Sequence, residues 1–560
     1  MKRTIAIIVS LVMLLGMMSG CGLVEEPVEV TPENVWTVLE DYSGKIGYRT
    51  TELVKGTVPE RGDNSTGNNG PDIMYELPDI TNYPVNVKGE GEINVEIFVP
   101  TENNGSSIVQ FIEHAAKAFN AANVKVDGKT SSVSIRTLEA TLAEDYILSG
   151  AYTPEGYIAA NELYGILMNE NGIAVSQVAD RTVGNTMGIA IQQAKYNELK
   201  SAYSDVTIQT IVDATKDGKL GVGYTNPTNN PTGLNFVISM LSYFDANNPM
   251  SFEATTDFSA FQSAVPLVSY SMEQMKQAVS NGTINAFVVE HQAFAADSDL
   301  SNNFVFMPFG VRHDNPLYAV GEVNADESSV LTKFAEFTQE TEIQKYGNEL
   351  GFNRDMTYTS TVANYEGSLI KEVLNVWKEA KTSTGGMSVV FVADISGSMD
   401  GEKIESLKQS LLNGMQYIGE NTRVGLITFE SYVYVNVPIG EFNTEQQEYF
   451  AGAVENLRAN GGTATNNALV IANKLLHDEP EENKKLIIVL SDGQTGSGYS
   501  LGNVKTLLDA TEVPIYTIGY GSNADEAELK EIANINNGTY IKATTDNIGF
   551  LMKTIFEAEA

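Results

Sequence analysis

The segment from Ser388 to Leu412 constrains the fold of this chain more than any other. It begins with an apolar run of strand length, "VVFVA", and reaches Asp394, Ser396 and Ser398 where that run ends. A helical pattern follows, and its apolar stripe consists of Ile404, Leu407, Leu411 and Met415. A buried strand that leads through a polar loop into an amphipathic helix is the repeating unit of α/β domains with parallel sheets.

The remainder of the C-terminal section repeats this unit. Apolar strands are predicted in "TRVGLITFES", "KKLIIVLSDGQ", "VPIYTIGYG" and "GTYIKAT", and helical patterns separate them. The segment "VYVNVPIGEF" is predicted to be a strand at the edge of the sheet. Because the other strands are apolar along their length, both faces of the sheet must be covered. Residues 386–560 are therefore predicted to form one doubly wound, Rossmann-like α/β domain.

Three loops predicted at the carboxyl ends of these strands carry oxygen-bearing side chains, without sulfur or imidazole. They are the loop with Asp394, Ser396 and Ser398, the loop "GGTAT" with Thr463 and Thr465, and the loop "LSDG" with Asp492. Hard divalent cations prefer such all-oxygen surroundings. The local alternative is that Asp394 caps its helix while the serines and Asp492-Gly493 form simple turns.

This constellation resembles the von Willebrand factor A domain and its metal-ion-dependent adhesion site, with D-x-S-x-S, a distant Thr and a later Asp. The resemblance implies metal-binding roles for Asp394, Ser396, Ser398, Thr463 and Asp492, and it alone favours Thr463 over Thr465. It also implies that the hydroxyls bind the metal directly while one or both Asp act through water. The implied cofactor is a divalent cation, with Mg²⁺ expected and Mn²⁺ or Ca²⁺ as alternatives. An extracellular or envelope protein would complete the site with an Asp or Glu carboxylate.

Residues 91–380 also alternate short apolar strands with helical patterns, which predicts a second α/β region. Two polar loops in it precede helices, one from Thr101 to Ser107 and one from Thr225 to Thr232. Hydroxyls, amides and free backbone N–H groups at a helix start suit an anion or a polar solute. The same residue types serve as helix caps and turns, so the residues alone leave both interpretations open.

The order of these elements, with "YTNPTNNPTGLNFVISML" in the middle and "FVVEHQAFA" later, resembles a bacterial extracellular solute-binding protein. The resemblance implies a two-lobed α/β region of the type II periplasmic-binding-like class, which closes around a ligand at a hinge. The candidate solute-binding residues are Thr101, Ser106, Thr228, Asn230, Thr232 and Gly233.

The first 20 residues have the pattern of a secretory signal peptide. Met1-Lys2-Arg3 precedes the apolar stretch "TIAIIVSLVMLLGMM", which is shorter than a membrane-spanning helix, and small residues follow. The end of the pattern, Met18 to Cys21, resembles a bacterial lipobox, which implies that Cys21 is lipidated. The alternative is an ordinary cleaved signal in which the single cysteine of the chain is incidental.

Residues 21–90 are predicted to be a lipid-anchored tether. They are rich in Pro, Gly, Asn and acidic residues and show no sustained periodicity. The protein is then expected outside the cytoplasm, on the bacterial cell surface or in the periplasm, and attached to the cell membrane by its lipid alone.

The net charge and the motifs that the sequence lacks exclude some classes of function. Acidic residues outnumber basic ones by 72 to 35, and the resulting net charge of −37 disfavours nucleic acid as a partner. The sequence contains no H-E-x-x-H, Walker or G-x-S-x-G motif, so no catalytic residues are assigned and no enzyme is expected. The favoured hypothesis is a cell-surface adhesion or assembly protein that binds its partner through the metal. The alternative is a lipoprotein that delivers a small solute to a transport system, with the A domain as an accessory.

Overall fold

The computed structural model describes residues 30–31, 33–59, 77–101, 106–228, 230–269, 271–360, 362, 366–382, 386–419, 421–493, 495–521, 524–543, 552 and 555–556. Cys21, the predicted lipidation site, lies outside these ranges. The predicted α/β class is confirmed, because each of the three sheets contains parallel strands and is packed with helices. None of the helices in the described ranges is both long and apolar enough to span a membrane.

The elements before residue 383 alternate as the hydrophobic pattern predicts. In chain order they are α1 (Val35–Ile46), β1 (Arg49–Thr50), β2 (Val85–Val87), β3 (Ile93–Thr101), α2 (Ser107–Ala121), β4 (Lys125–Val126), β5 (Lys129–Glu139), α3 (Ala140–Ser149), β6 (Gly156–Ile158), α4 (Glu162–Glu170), β7 (Val175–Ala179), β8 (Thr186–Gln192), α5 (Gln193–Tyr203), α6 (Ile208–Lys216), β9 (Val222–Thr225), α7 (Pro231–Phe244), α8 (Phe252–Gln262), β10 (Leu267–Ser269), α9 (Met272–Ser280), β11 (Ala286–Glu290), α10 (His291–Ala296), α11 (Ser298–Asn303), β12 (Phe304–Arg312), β13 (Leu317–Val320), α12 (Ala325–Thr338), α13 (Thr341–Glu349) and α14 (Gly367–Thr382).

The first lobe is built on a sheet with the strand order β2-β5-β3-β6-β13-β7. At its centre β3 pairs in parallel with both β5 and β6. Successive side chains of β3 enter different cores: Ile97 packs in the cluster that contains Phe111 of α2, and Phe98 packs in another cluster with Tyr157. The strand is therefore buried on both faces, as its apolar sequence requires.

The second lobe is built on a sheet with the strand order β10-β9-β11-β8-β12. The chain enters this sheet at β8 and returns to the first sheet at β13, which separates the region into two lobes. Helix α7 is buried from Pro231 to Ser242. Helix α14 contacts this lobe, where the indole of Trp377 donates a hydrogen bond of 2.8 Å to the Tyr224 hydroxyl.

The C-terminal domain places its most apolar strand at the centre of a third sheet. Its elements are β14 (Met387–Asp394), α15 (Glu402–Gly414), β15 (Thr422–Phe429), β16 (Val433–Glu441), α16 (Thr444–Glu455), α17 (Thr465–His477), β17 (Lys484–Ser491), α18 (Leu501–Ala510), β18 (Ile515–Tyr520), α19 (Glu526–Ala533) and β19 (Tyr540–Ala543). Strand β14 is buried throughout and pairs in parallel with β15 on one side and β17 on the other.

The order β16-β15-β14-β17-β18-β19 is that of a doubly wound sheet, in which the first strand is central and the chain winds outward on both sides. Strands β14, β15 and β17 terminate at the same end of this sheet, which we call the Asp394 end. Ligands of doubly wound sheets bind at this end, next to the central strand.

An N-terminal segment completes this third sheet. Helix α1 packs on α17, where the Trp36 ring stacks on His477 with centroids 3.9 Å apart, and Leu39 is fully buried in the same core. Strand β1 then adds to the sheet beside β16 in parallel orientation, with Arg49 opposite Tyr434. Further along, the Gly56 amide donates a hydrogen bond of 2.8 Å to the Glu448 carbonyl.

The predicted tether over residues 21–90 is therefore wrong for two of its parts. Residues 35–56 pack on the C-terminal domain, and β2 pairs with β5 in the sheet of the first lobe. The reason is that Val35, Val38 and Leu39 lie at helical spacing and bury against a partner far along the chain. That short apolar pattern is hidden by the polar composition of the surrounding residues.

Candidate metal-binding site

The first loop of the site begins where the central strand ends. Asp394 is the last residue of β14 and is fully buried. Its Oδ1 accepts a hydrogen bond of 2.8 Å from the Ser396 amide, and the chain then makes one 3₁₀ turn from Gly397 to Met399. The Ile395 amide donates to the Phe429 carbonyl at 2.9 Å, which joins this loop to the end of β15.

The two serine hydroxyls of this loop lie side by side. Ser396 Oγ and Ser398 Oγ are 3.0 Å apart. Mg²⁺–oxygen bonds of about 2.1 Å place adjacent ligands of an octahedron about 3.0 Å apart, because that edge is √2 times the bond length. The two hydroxyls form a hydrogen bond at this distance, and the same spacing would suit two neighbouring ligand positions around one octahedral cation. Ser396 is buried and Ser398 is exposed, so the pair spans the boundary with solvent.

The second loop is held against the first by its backbone. The Gly397 amide donates to the Gly461 carbonyl at 3.1 Å, and the Thr463 carbonyl accepts hydrogen bonds of 3.0 Å from the amides of Gly496 and Ser497. Thr463 is buried. These bonds place the backbone of Thr463 between the first loop and the loop that follows β17, and metal binding by its hydroxyl stays a prediction.

Two local features fix the second loop. Gly461 has a φ of +74°, a backbone conformation that residues with a Cβ rarely adopt, so glycine suits this turn. The neighbouring Thr465 is the first residue of α17, and its hydroxyl accepts a hydrogen bond of 3.1 Å from Thr495. Thr465 is thus engaged in supporting the loop.

The third loop contributes a buried carboxylate with one oxygen paired and one not. Asp492 is 1% exposed. Its Oδ2 accepts a hydrogen bond of 2.9 Å from the Lys403 ammonium, while its Oδ1 has no hydrogen-bond partner among the described residues. The preceding Ser491 donates a hydrogen bond of 2.5 Å to Asp394 Oδ2. The two carboxylates therefore belong to one connected cluster.

The electrostatics of this cluster favour an added positive charge. Burial raises the pKa of Asp394 to about 6, and the negative charge of Asp492 adds to this rise, against the hydrogen bonds from Ser396 and Ser491. A buried carboxylate oxygen without a donor is costly, and a bound cation would satisfy it. The described residues contain no group of three or more His, Cys, Asp and Glu side chains that could hold a metal ion. The two carboxylates and three hydroxyls of these loops all offer oxygen, and this donor set fits a hard divalent cation.

The candidate solute-binding residues of the second polar loop use their polar atoms within the loop. Asn230 caps α7, and its Oδ1 accepts from the Thr232 amide at 2.9 Å and from the Thr225 hydroxyl at 2.8 Å. The Thr228 hydroxyl donates to Asn226 Oδ1 at 2.7 Å. A Cβ on Gly233 would lie 1.9 Å from the Thr225 carbonyl oxygen, so this glycine permits close helix–strand packing. These contacts are those of the capping alternative.

The first polar loop is described only in part. Thr101 ends β3, but its side chain lies outside the described part of the chain, and Ser106 occupies the cap position of α2 without a side-chain capping bond. The roles of Thr101, Ser106, Thr228, Asn230, Thr232 and Gly233 in binding a solute therefore stay predictions.

Sequence reasoning missed two members of the cluster around Asp394 and Asp492. Lys403 lies at the start of α15, shortly after the D-x-S-x-S stretch, and Ser491 immediately precedes Asp492. A lysine near a helix N-terminus is unusual because the helix dipole disfavours a cation there, and this position could have drawn attention to Lys403. Ser491 gives no comparable signal, because a serine at the end of a strand is common.

Comparison with known proteins supports the C-terminal assignment. Residues 388–557 match the family described as von Willebrand factor type A domain. Inter-alpha-trypsin inhibitor heavy chain H3 from Bos taurus is 31% identical over 166 residues, which are 27% of this chain and 18% of the relative. This chain therefore spans less than a fifth of the length of that curated relative.

Two solved structures are similar to separate parts of the chain. The pilus adhesin SpaC from Lactobacillus rhamnosus GG, in its open conformation, is 20% identical, with a TM-score of 0.27, over 31% of this chain and 30% of that chain. A putative extracellular solute-binding protein from Bordetella parapertussis is 13% identical, with a TM-score of 0.38, over 52% of this chain and 99% of that chain.

Proposed function

We propose that the von Willebrand factor type A domain at residues 388–557 binds a protein partner through a divalent cation. Asp394, Ser396, Ser398, Thr463 and Asp492 would hold this cation, and a carboxylate of the partner would complete its coordination. The observation that carries the proposal is the meeting of three loops around a hydroxyl pair 3.0 Å apart and an unpaired buried oxygen of Asp492.

The residues of the site would have two different roles in holding the cation. The serine and threonine hydroxyls would contact the cation directly, and Asp394 and Asp492 would act through water. When bound, the cation supplies an electrophilic position that attracts an anionic group, because neutral hydroxyl ligands leave most of its charge uncompensated. Mg²⁺ is the proposed ion, and Mn²⁺ and Ca²⁺ share the same oxygen preference.

The proposed setting is the outer side of the cell membrane. Cys21 would carry the lipid anchor, and this part of the proposal rests on the N-terminal sequence alone. Globomycin treatment, which blocks lipoprotein signal cleavage, would leave an unprocessed precursor if Cys21 is lipidated. Processing that is unaffected by the inhibitor and by Cys21→Ser would contradict the anchor.

The test is capture of envelope proteins by the chain from residue 22 onward, in Mg²⁺ and in EDTA. Specific partners are expected in Mg²⁺ and are expected to be lost in EDTA and with Asp394→Ala. Asp509→Ala removes an exposed carboxylate from the last turn of α18 and is the matched control. Capture that survives both EDTA and Asp394→Ala, with the fold intact by circular dichroism, would refute the proposal. A fragment beginning at residue 386 is unsuitable, because it lacks α1 and β1.

A second candidate function is delivery of a small solute to a transport system. The observation that favours it is a direct contact between the lobes: Gln292 of α10 donates a hydrogen bond of 2.6 Å to the Ser107 hydroxyl at the start of α2. Such a contact would close a cleft between the two lobes. A thermal-shift screen with sugars, amino acids and oxyanions is the test, because a bound ligand raises the melting temperature. A screen without any shift would count against this function.

A further inference from the structure

The N-terminal segment brings a positively charged side chain, that of Arg49, to the Asp394 end of the third sheet. Strand β15 pairs with β14 so that Phe429 lies opposite Asp394, and β16 pairs with β15 so that Val433 lies opposite Phe429. Arg49 of β1 lies opposite Tyr434, the next residue of β16. Arg49 is therefore at the same end of the sheet as Asp394, three strands away, which corresponds to about 14 Å at the usual strand spacing.

The Arg49 side chain is held in place by two tyrosines of β16 and its preceding turn. Its guanidinium carbon lies 3.9 Å from the centroid of the Tyr432 ring, and its Nη1 donates a hydrogen bond of 3.3 Å to the Tyr434 hydroxyl. The Tyr434 hydroxyl in turn donates to Glu430 Oε1 at 2.9 Å. Stacking on an aromatic ring orients a guanidinium without neutralising it, so the charge remains available to a ligand.

The surroundings of Arg49 have the character of a binding surface. Among the described residues Arg49 forms no ion pair with an acidic side chain, although the chain has 72 acidic and 35 basic residues. Tyr432 is 55% exposed, and Tyr48, which directly precedes Arg49, is 48% exposed. Tyrosine and arginine are, with tryptophan, the residue types enriched among the residues that contribute most at protein interfaces.

We propose that Arg49 and Tyr432 form a second contact for the partner, which receives an acidic side chain beside the one bound by the metal. This proposal rests on the proposed function of the metal site and names the chemistry of its partner. An extended chain advances about 3.3 Å per residue, so about 14 Å corresponds to about four residues. The partner would therefore be an extended acidic segment whose two carboxylates are about four residues apart.

Synthetic peptides test this proposal. A set of Gly/Ser peptides with two Glu residues at separations of one to seven positions is titrated against the chain from residue 22 onward in Mg²⁺, with ¹⁹F NMR of a terminal label as the readout. A peptide with a single Glu reports on the metal site alone. We expect the tightest binding at a separation of about four, roughly fivefold tighter than for the single-Glu peptide, as for an exposed ion pair.

Variants separate the two contacts. Arg49→Gln is expected to reduce binding of the best two-Glu peptide to that of the single-Glu peptide and to leave the latter unchanged. Arg49→Lys should restore part of the difference, because it keeps the charge but loses the stacked plane. Arg354→Gln, an exposed arginine outside the C-terminal domain, is the matched control and should change nothing.

The outcomes distinguish this proposal from the function on which it rests. One result would overturn the second contact and keep the metal contact. In it, EDTA abolishes binding of the single-Glu peptide, and Arg49→Gln has no effect at any separation. If binding of the two-Glu peptides depends on Arg49 but persists in EDTA, the Arg49 contact would be supported and the metal contact would be refuted. An equal loss for one-Glu and two-Glu peptides in Arg49→Gln, or no binding of any peptide, would refute the second contact.

Discussion

The ammonium of Lys403 lies 2.9 Å from Oδ2 of Asp492, a carboxylate that is almost completely buried. The other oxygen of the same carboxylate has no hydrogen-bond partner among the described residues. Oδ2 of Asp492 is therefore paired with the ammonium of Lys403, which lies in the first turn of α15. The unpaired oxygen is the group that a divalent cation, or a water bound to it, would satisfy.

Removal of the Lys403 charge should destabilise the metal-free protein and spare the metal-loaded one. Lys403→Gln leaves a buried anion without its charged partner, which we expect to lower the free energy of unfolding by about 2 kcal/mol in EDTA. A bound cation replaces the missing charge, so Mg²⁺ should recover most of this loss. Urea unfolding in EDTA and in Mg²⁺ measures both values.

Lys505→Gln is the control for this change, because Lys505 forms an exposed ion pair of 2.9 Å with Glu531. Exposed pairs contribute little, so this variant should resemble the wild type in both conditions. An equal loss for Lys403→Gln with and without Mg²⁺ would show that Lys403 does not share a carboxylate with a cation.

The N-terminal segment should contribute directly to the stability of the C-terminal domain. Leu39 is fully buried in the core of that domain, so Leu39→Ala is expected to lower the free energy of unfolding by about 3 kcal/mol. Leu53 lies in the same segment but is 44% exposed, and Leu53→Ala should cost less than about 0.5 kcal/mol. Urea unfolding with hydrogen exchange of β16 measures the effect. Equal values for the two variants would mean that the segment is not packed on the domain.

The capping alternative for Asn230 predicts a loss of stability without any solute. Asn230→Ala removes the acceptor for the Thr232 amide and the Thr225 hydroxyl, which we expect to cost about 2 kcal/mol. Asn230→Asp keeps the acceptor oxygen and should retain at least half of this free energy. The melting of the ligand-free chain measures both. An unchanged melting temperature for Asn230→Ala would favour a binding role over a cap.

A buried acid in the first lobe should make stability depend on pH. Burial raises the pKa of Glu144 well above its ordinary value, and the charge of Asp145 adds to this, against a hydrogen bond from Tyr157. The contribution of Glu144 is therefore full below its unfolded pKa and is lost as the pH rises through its folded pKa. Glu144→Gln should thus be more stable than the wild type at pH 8, with the difference vanishing near pH 4.

Urea unfolding at the two pH values measures this effect, and Glu336→Gln, which changes an exposed residue of α12, is the control. A Glu144→Gln variant that is less stable than the wild type at pH 8 would reverse the sign and contradict the assignment.

The C-terminal fold could be predicted because its signals are local in the sequence. Within β14, Val389 to Ala393 form an uninterrupted apolar run, and the polar residues that follow lie at the carboxyl end of a central strand. Asp394 and Asp492 meet because parallel neighbours terminate together, a consequence of the fold rather than of any local pattern.

The parts that could not be predicted depend on contacts between distant segments. Trp36 stacks on His477 and Arg49 stacks on Tyr432, but nothing near Trp36 or Arg49 in the chain specifies these partners. A short amphipathic helix in a polar stretch has no stable form until it is packed, so composition alone assigned it to a tether. The Lys403–Asp492 pair was missed because its two residues are also far apart in the chain.

Calorimetric titration of Mg²⁺ or Mn²⁺ into the metal-free chain from residue 22 onward, at physiological salt, tests the central claim most directly. We predict one saturable site in the wild type and in Asp509→Ala, and its loss in Asp394→Ala and in Ser396→Ala with the fold intact by circular dichroism. A wild-type chain that shows no saturable site, or an Asp394→Ala variant that retains the site at full affinity, would contradict the claim that these loops hold a cation.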